Sequence, residues 1–441
     1  MSAVAPAAEG FLEGYAQHVR TLAQDSPDWL RARRVAGLTR FEQLGLPTPK
    51  DEAWRQTNLA ALTRERFEIA SLRGDATADP DLPQWTRLPL DGPRLVFHDG
   101  RHRPGSGASV ELPRGVLLCS LAEALARFPE RIERLLAGAD DGATAFEALN
   151  SALVEDGAAV IVPDGLQLPQ PIQLCYTAGG APRATASHPL TLVLAGAGSS
   201  LRLVEQYVGP ADGGYFTNAR TRVHVEDNAS VEHYRLQLES PTAFHIASTL
   251  SVQGRDSRYT AHNISLGGRM VRQDIRAVLD GEGATCLLYG LYMTRNSQHV
   301  DNHTLLDHAQ PHCHSHELYK GILDDRSRSV FSGRIVVREG AQKTDAIQSN
   351  PNLLLSPTAL AHTRPQLEIY ADDVKCTHGA TVGQIDEEGV FYLRSRGIPE
   401  AEARSLLVHA FAGEVLERID LEPLRITLEQ AVHDRLAESI G

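Results

Sequence analysis

ATCLLYGLYMTRNSQHVDNHTLLDHAQPHCHSHELYKGILDDRSRSVFSGRIVVR, residues 284–338, holds four apolar-polar alternating runs separated by short polar breaks. Each run is about ten residues long and rich in β-branched and aromatic side chains, which is the composition of a strand. The breaks are too short for crossover helices, so βαβ units are excluded. The same texture extends from Ala158 to about Val390, and small polar groups recur ahead of the runs. These are Gly198-Ser199-Ser200, Asp227-Asn228-Ala229-Ser230, Gly281-Glu282-Gly283-Ala284, Ser327-Arg328-Ser329 and Glu339-Gly340-Ala341. Their spacing falls near about 14 residues or twice that, as expected of coils stacked in a β-solenoid. A sandwich or large barrel is the structural alternative, because periodicity does not say how strands are joined. Gln342, Gln348, Asn350 and Asn352 suit amide ladders between stacked strands and equally suit a polar surface.

The flanks are helical. Leu12, Tyr15, Val19 and Leu22, then Trp29, Leu30, Val35, Leu38 and Phe41, give two helices on either side of Asp25-Ser26-Pro27. In the next loop, LPTPKDEAWRQTNL, Trp54 reads as an anchor to the body in preference to a binding patch of Lys50, Glu52, Trp54 and Arg55. Residues 72–90 read as a linker, PRLVFHDG as a strand, and residues 119–137 and 144–153 as helices, the first broken near Pro129. After Pro399, Leu407, Phe411, Val415 and Ile419 recur in steps of four, followed by Leu424, Leu428, Val432, Leu436 and Ile440. These terminal helices either fold back on the β body or present a stripe to a partner; spacing does not choose between the two. The expected division is an N-terminal helical region and linker (1–90), a mixed connection (91–157), the β core (158–396) and a C-terminal helical region (397–441).

The chain has 56 acidic and 43 basic residues among 441, a formal charge of −13, and no basic block, which argues against a nucleic-acid partner. It shows neither a signal-like start nor an uncharged run of about 18 residues, so the expectation is a soluble cytoplasmic chain with no membrane segment. Five cysteines, an odd number with no CxxC, do not suggest a disulfide framework.

Three groupings carry potential chemistry. His299, His303, His308, His312, Cys313, His314 and His316 form the densest, and on a strand His312, His314 and His316 share a face as metal ligands would. Asp372, Asp373, Asp386, Glu387 and Glu388 suit either acid-base catalysis, as in a carbohydrate-active solenoid enzyme, or ordinary turns. The glycine-rich turns lack the Gly-Lys-Ser/Thr ending of a P-loop, and no Ser-His-Asp order is present. The third grouping lies in LEIYADDVKCTHGATVGQIDEEGVFYLRSR, residues 367–396. Cys376 and His378, two apart on a strand, point the same way, while Lys375 points to the other face. Thiolate and imidazole are good iron ligands, but two donors do not complete a site, and a core cysteine beside a histidine is the plain alternative.

Beyond these patterns, VFSGRIVVREGAQKTDAIQSNPNLLLS (Val330 to Ser356) and LEIYADDVKCTHGATVGQIDEEGVFYLRSRGI (Leu367 to Ile398) resemble the SufB/SufD family of iron-sulfur cluster assembly proteins. DNHTLLDH, ELYKGILDD and PTPKDEAWRQTNL extend the resemblance over most of the chain. Cys376-Thr377-His378-Gly379-Ala380-Thr381 stands where SufB-like chains have Glu-His-Glu-Ala-Thr-Thr, and a multi-cysteine N-terminal motif is absent, so the resemblance is to the SufD side of the family. It implies a right-handed parallel β-helix between helical regions, in a non-catalytic subunit of a SufBCD complex. It also implies that His378, with Cys376 second, is a candidate ligand for iron or a nascent cluster at the interface with the SufB β-helix. No tightly bound cofactor is implied for the isolated chain; iron or a cluster would be held transiently. The C-terminal helices, through Leu407, Phe411 and Val415, would dock the ABC-type ATPase SufC. A homodimer of the isolated chain is compatible with all of this.

Overall fold

In the computed structural model all residues are described except 1–5, 25, 71–86, 107–109, 138–143, 180–183, 211–212 and 441. The expected linker over 72–90 therefore lies largely outside the described residues. Among those described, sixteen strands build a parallel β-solenoid of about eight turns. They run β1 (Gly157–Val162), β2 (Ile172–Thr177), β3 (Leu190–Ala195), β4 (Ser200–Val208), β5 (Tyr215–Val225), β6 (Ser230–Leu238), β7 (Phe244–Gln253) and β8 (Arg258–Ser265). The series continues with β9 (Met270–Leu279), β10 (Thr285–Thr294), β11 (His299–His308), β12 (His314–Leu323), β13 (Arg328–Val337), β14 (Asp345–Leu354), β15 (Leu360–Ile369) and β16 (Lys375–Gln384). Odd strands pair with odd strands in one sheet and even with even in the other, so each coil contributes one strand to each.

The polar groups between the runs make the repeat possible. Gly198, Asn228, Asp256, Gly283, His312 and Lys343 occupy one turn of successive coils, all with φ between 53° and 73°. Each donates its backbone N–H to a carbonyl in the next coil: Asn228 to Arg255, Asp256 to Glu282, His312 to Gln342 and Lys343 to Asp373. The left-handed conformation aims that N–H along the stack, and glycine, Asn and Asp bear it at least cost.

Side chains alternate between the lumen and the outer faces. The lumen holds the largest core, from Val160 and Leu203 to Phe331 and Ala346. The outer face of the odd sheet is covered by α1 (Pro6–Gln24), α2 (Asp28–Leu44), α3 (Ala60–Arg64) and α6 (Ala145–Leu153), through Tyr15, Phe41, Leu62 and Phe146 against Phe216, Phe244 and Ile246. Thr144 and Glu147 form a capping box that starts α6. The helices α4 (Leu121–Arg127) and α5 (Pro129–Leu136) flank β1, divided at Pro129 as the sequence indicated. Three C-terminal helices follow the stack: α7 (Glu387–Ser395), α8 (Glu400–Leu416) and α9 (Glu422–Ile440). The last two fold back on the outer face of the even sheet, burying Val408, Val415, Leu424, Leu428 and Val432 against Leu236, Ile264, Leu291 and Ile322.

One reading is corrected here. Strand character was expected to reach residue 396 but ends at Gln384, because Asp386 accepts from the Glu388 N–H and starts α7. Pro351 and Pro365 lie inside β14 and β15, which run through both. Pro351 has no N–H to offer, and the β12–β14 ladder lapses there: Leu318 pairs with Ser349 and Gly321 with Asn352, with no pairing between. Pro365 sits on a strand with one neighbour, β13, where the loss is small.

The two ends of the stack differ. The β1 edge is covered by the antiparallel strand Leu117–Ser120 and the β2 edge by Arg94–His98. At the other end, among the described residues, β15 and β16 each pair on one side only.

Candidate interfacial half-site

The open coil formed by β15 and β16 presents two free strand edges and the end of the lumen. Unpaired backbone N–H and C=O groups along such edges are templates for another chain. Register places Cys376 beside Ala346 and His378 beside Gln348 of β14. Both β14 partners are buried and face the lumen, so Cys376 and His378 do share a face, the one that looks into the lumen from its last coil.

The two residues then diverge. Cys376 is partly buried and packs on the lumen core. Burial, together with the nearby Asp345 carboxylate, pushes its thiol pKa up, so the isolated chain favours thiol over thiolate. Lys375 is exposed on the opposite side of the strand and gives the sulfur no help. His378 is exposed.

Polar groups continue below His378. Gln348 is buried and donates from Nε2 to Glu317 Oε2 at 2.6 Å. Glu317 is itself in register with Gln348 on β12 and fully buried. Burial pushes its carboxyl pKa up to about 7, against the pull of the Thr304 and Gln348 hydrogen bonds. Beside this column Asn352 bonds Asn350 at 2.9 Å, Tyr292 donates to Asn352 at 2.7 Å, and Asn350 donates to the Tyr319 carbonyl at 2.9 Å. These amides are therefore lumen cross-links. Gln342 instead sits in a turn and accepts from the Asp373 N–H.

The histidine-rich stretch is dispersed by the fold. His299 bonds Thr57 at 2.8 Å and His303 lies 3.0 Å from Asp301, both on the outer face of the odd sheet, while His308 bonds Ser315. His312 is in a turn, off the strand that carries His314 and His316 on the outer face of the even sheet. The shared-face expectation for the three fails because β12 begins only at His314. Among the described residues no group of three His, Cys, Asp or Glu side chains is arranged to hold a metal ion. The acidic residues are likewise spread out: Asp373 pairs with Lys343, Asp386 caps α7 and Glu387 pairs with Arg404.

The expected partner stripe on α8 does not face outward as a unit. Val415 is fully buried, Leu407 and Phe411 are half-buried, and the solenoid's Lys320 stands 4.3 Å from the Phe411 ring centroid, hydrogen-bonded to the Phe411 carbonyl and paired with Glu414. Among the described residues, the large apolar side chains the C-terminal helices expose are Phe391 and Tyr392 on α7, Leu406 on α8 and Ile426 on α9. Sequence spacing missed them because a step of four finds the buried side of a helix first. A separate groove of about 1140 Å³ lies between residues 52–57 and the outer face of the odd sheet. Its lining mixes Arg55, Arg276 and Arg334 with Glu147, Asp274 and Glu368, and includes neither Cys376 nor His378.

The solenoid is thus capped at one end and, at the other, carries an imidazole and a thiol on the lumen face of a coil whose strand edges no described residue pairs. Comparison with known proteins gives the family. Residues 176–411 match the SUF system FeS cluster assembly SufBD core domain, and residues 6–174 match the SufBD protein N-terminal region. The chain belongs to the SufBD family of iron-sulfur cluster assembly proteins. It is 34% identical to the iron-sulfur cluster assembly protein SufD of Escherichia coli over 409 residues, 90% of this chain and 91% of that one. It is also 34% identical to an iron-sulfur cluster assembly SufBD family protein of Synechocystis over 401 residues, 89% and 88% of the two chains, and 28% identical to SufD of Bacillus subtilis over 427 residues, 93% and 94%.

Proposed function

We propose that this chain is the SufD-type, non-catalytic subunit of a SufBCD assembly, and that its open coil pairs with a SufB β-solenoid to complete a site for iron or a nascent cluster. The observation that carries this reading is the coincidence of two unpaired strand edges with His378 and Cys376 on the same terminal strand. A half-site of two donors needs the partner's ligands, and iron or the cluster is cargo held transiently by both chains. His378, exposed and on the lumen face, is the principal ligand from this side. Cys376, whose thiol is disfavoured as thiolate while the coil is open, is second.

ATP hydrolysis belongs to SufC, which engages the C-terminal helices. Phe391, Tyr392 and Leu406 are the contact, in place of the largely inward stripe of Leu407, Phe411 and Val415. Among the described residues no helix is long and apolar enough to cross a membrane.

The test is co-expression with SufB and SufC partners. His378→Ala is expected to leave the complex intact by size exclusion while iron content and cluster yield fall at least tenfold. An intact complex with unchanged iron would overturn the assignment. A chain that forms only a homodimer in the presence of SufB would overturn the pairing.

A further inference from the structure

The column below His378 has a polarity. Gln348 Nε2 donates to Glu317 Oε2, so the amide gives this bond its N–H and turns its oxygen elsewhere. That oxygen, Gln348 Oε1, is buried and has no hydrogen-bond partner among the described residues. Leaving such an acceptor unpaired costs free energy unless the assembled state supplies a donor. The amide is also held in place from the facing sheet. Gly333 has no side chain where a Cβ would come within 2.3 Å of Gln348 Nε2 and 2.8 Å of the Phe331 ring, so the glycine leaves the room Gln348 fills. The next residue along the stack, in register with Gln348 and about 4.8 Å further on as neighbouring strands are, is His378.

We propose that Gln348 is a positioning residue for His378: when the open coil is closed by its partner, Gln348 Oε1 accepts the imidazole N–H, leaving the other ring nitrogen unprotonated and aimed away from the lumen as the iron donor. The inference rests on the assignment of His378 as a ligand and adds the group that sets its tautomer. A neutral imidazole has one donor and one acceptor nitrogen, and the bond made by the first decides which is free for a metal. Glu317 acts one step further back, by fixing which way round the Gln348 amide sits.

The experiment uses the co-expressed complex and titrates it with Fe(II) against a competing chelator. Gln348→Leu and Gln348→Met, which keep the volume and remove the acceptor, are each expected to weaken Fe(II) binding about 10–100-fold. The exchanged pair Glu317→Gln with Gln348→Glu restores a donor facing an acceptor and again leaves a carboxylate oxygen toward His378, so it is expected to recover most of the loss. The exchanged pair also restores the lumen hydrogen bond, so Glu317→Leu, which breaks that bond and keeps the Gln348 acceptor, is the control: a merely structural role would weaken Fe(II) binding as much as Gln348→Leu does, and a positioning role less. If His378→Ala leaves Fe(II) binding unchanged, the ligand assignment fails and the inference with it. If His378→Ala abolishes binding but both Gln348 variants bind normally, the inference alone is overturned. Weakened single variants that the exchanged pair does not rescue would overturn the polarity argument. Should Gln348→Leu prevent assembly, the Met variant and the exchanged pair still decide it.

Discussion

Arg272 lies 3.9 Å from the ring centroid of Trp54, and the same guanidinium bonds Asp301 at 2.7 Å, Asp274 at 2.8 Å and the Ala53 carbonyl at 2.7 Å. The loop that carries Trp54 is thereby fastened to the odd sheet of the solenoid, with Thr57 adding a 2.5 Å bond to Asp301. The anchor reading of Trp54 holds.

Trp54→Ala removes the ring over Arg272 and opens space beside Phe146. The expected cost is about 3 kcal/mol, read as a lower midpoint in denaturant. Arg272→Met is expected to cost about 3–5 kcal/mol, because it strands the fully buried Asp301 carboxylate. Equal stability of Arg272→Met and the parent would show that the guanidinium does not compensate Asp301.

Gly290 and Gly321 make room for tyrosines in the lumen. A Cβ at Gly290 would stand 2.2 Å from the Tyr319 ring, and one at Gly321 2.3 Å from the Tyr292 ring. Gly290→Ala or Gly321→Ala is therefore expected to destabilise by about 1–3 kcal/mol and to lower Tm, whereas Gly340→Ala, where nothing lies within 4 Å, should change little.

Glu317 makes stability depend on pH in the direction opposite to a salt-bridged carboxylate. Its carboxyl is held up to about 7 in the fold, against about 4.5 when exposed. Between those values the native state binds the extra proton, so stability is greatest below about pH 4.5 and falls as pH rises through 7. Other groups add their own slopes, so the informative quantity is the difference from Glu317→Gln. That variant is expected to be stabilised relative to the parent at pH 8, by up to about 3 kcal/mol, with the advantage shrinking toward pH 5. Thermal melts of both proteins across this range would check it, and a constant difference would remove Glu317 as the titrating group.

Val415 and Phe391 separate folding from the proposed docking of SufC. Val415→Asp places a charge in the interface between α8 and the even sheet, and is expected to lower Tm markedly or leave the protein insoluble. Phe391→Asp alters an exposed ring and should leave Tm within about 0.5 kcal/mol of the parent in free energy. Capture of SufC in a pull-down is expected to drop for Phe391→Asp. Unchanged capture by Phe391→Asp would move the docking surface elsewhere.

The stack itself was legible in the chain. Alternation in residues 284–338 and the small polar groups at coil spacing specify strands and turns locally, and the column of positive φ at Asn228, Asp256, His312 and Lys343 is the structural form of that spacing. The helices on either side of Asp25 and after Pro399 were legible for the same reason, since periodicity reports which side of an element is buried.

What periodicity cannot report is against what that side is buried. It marked Leu407, Phe411 and Val415 as apolar, and only the fold-back of α8 shows Lys320 and the even sheet as the partners of Phe411 and Val415. Cys376 and His378 were placed on one face by the two-residue period of a strand. That this face looks into the end of the lumen, over Gln348 and then Glu317, depends on register between residues about 30 positions apart. Local sequence determined the strands, the turns and the shared face of the two donors. Tertiary stacking alone decided that one end of the solenoid is capped and the other open, because strand edges are closed by long-range pairing, from the Arg94–His98 and Leu117–Ser120 strands at one end and from no described residue at the other.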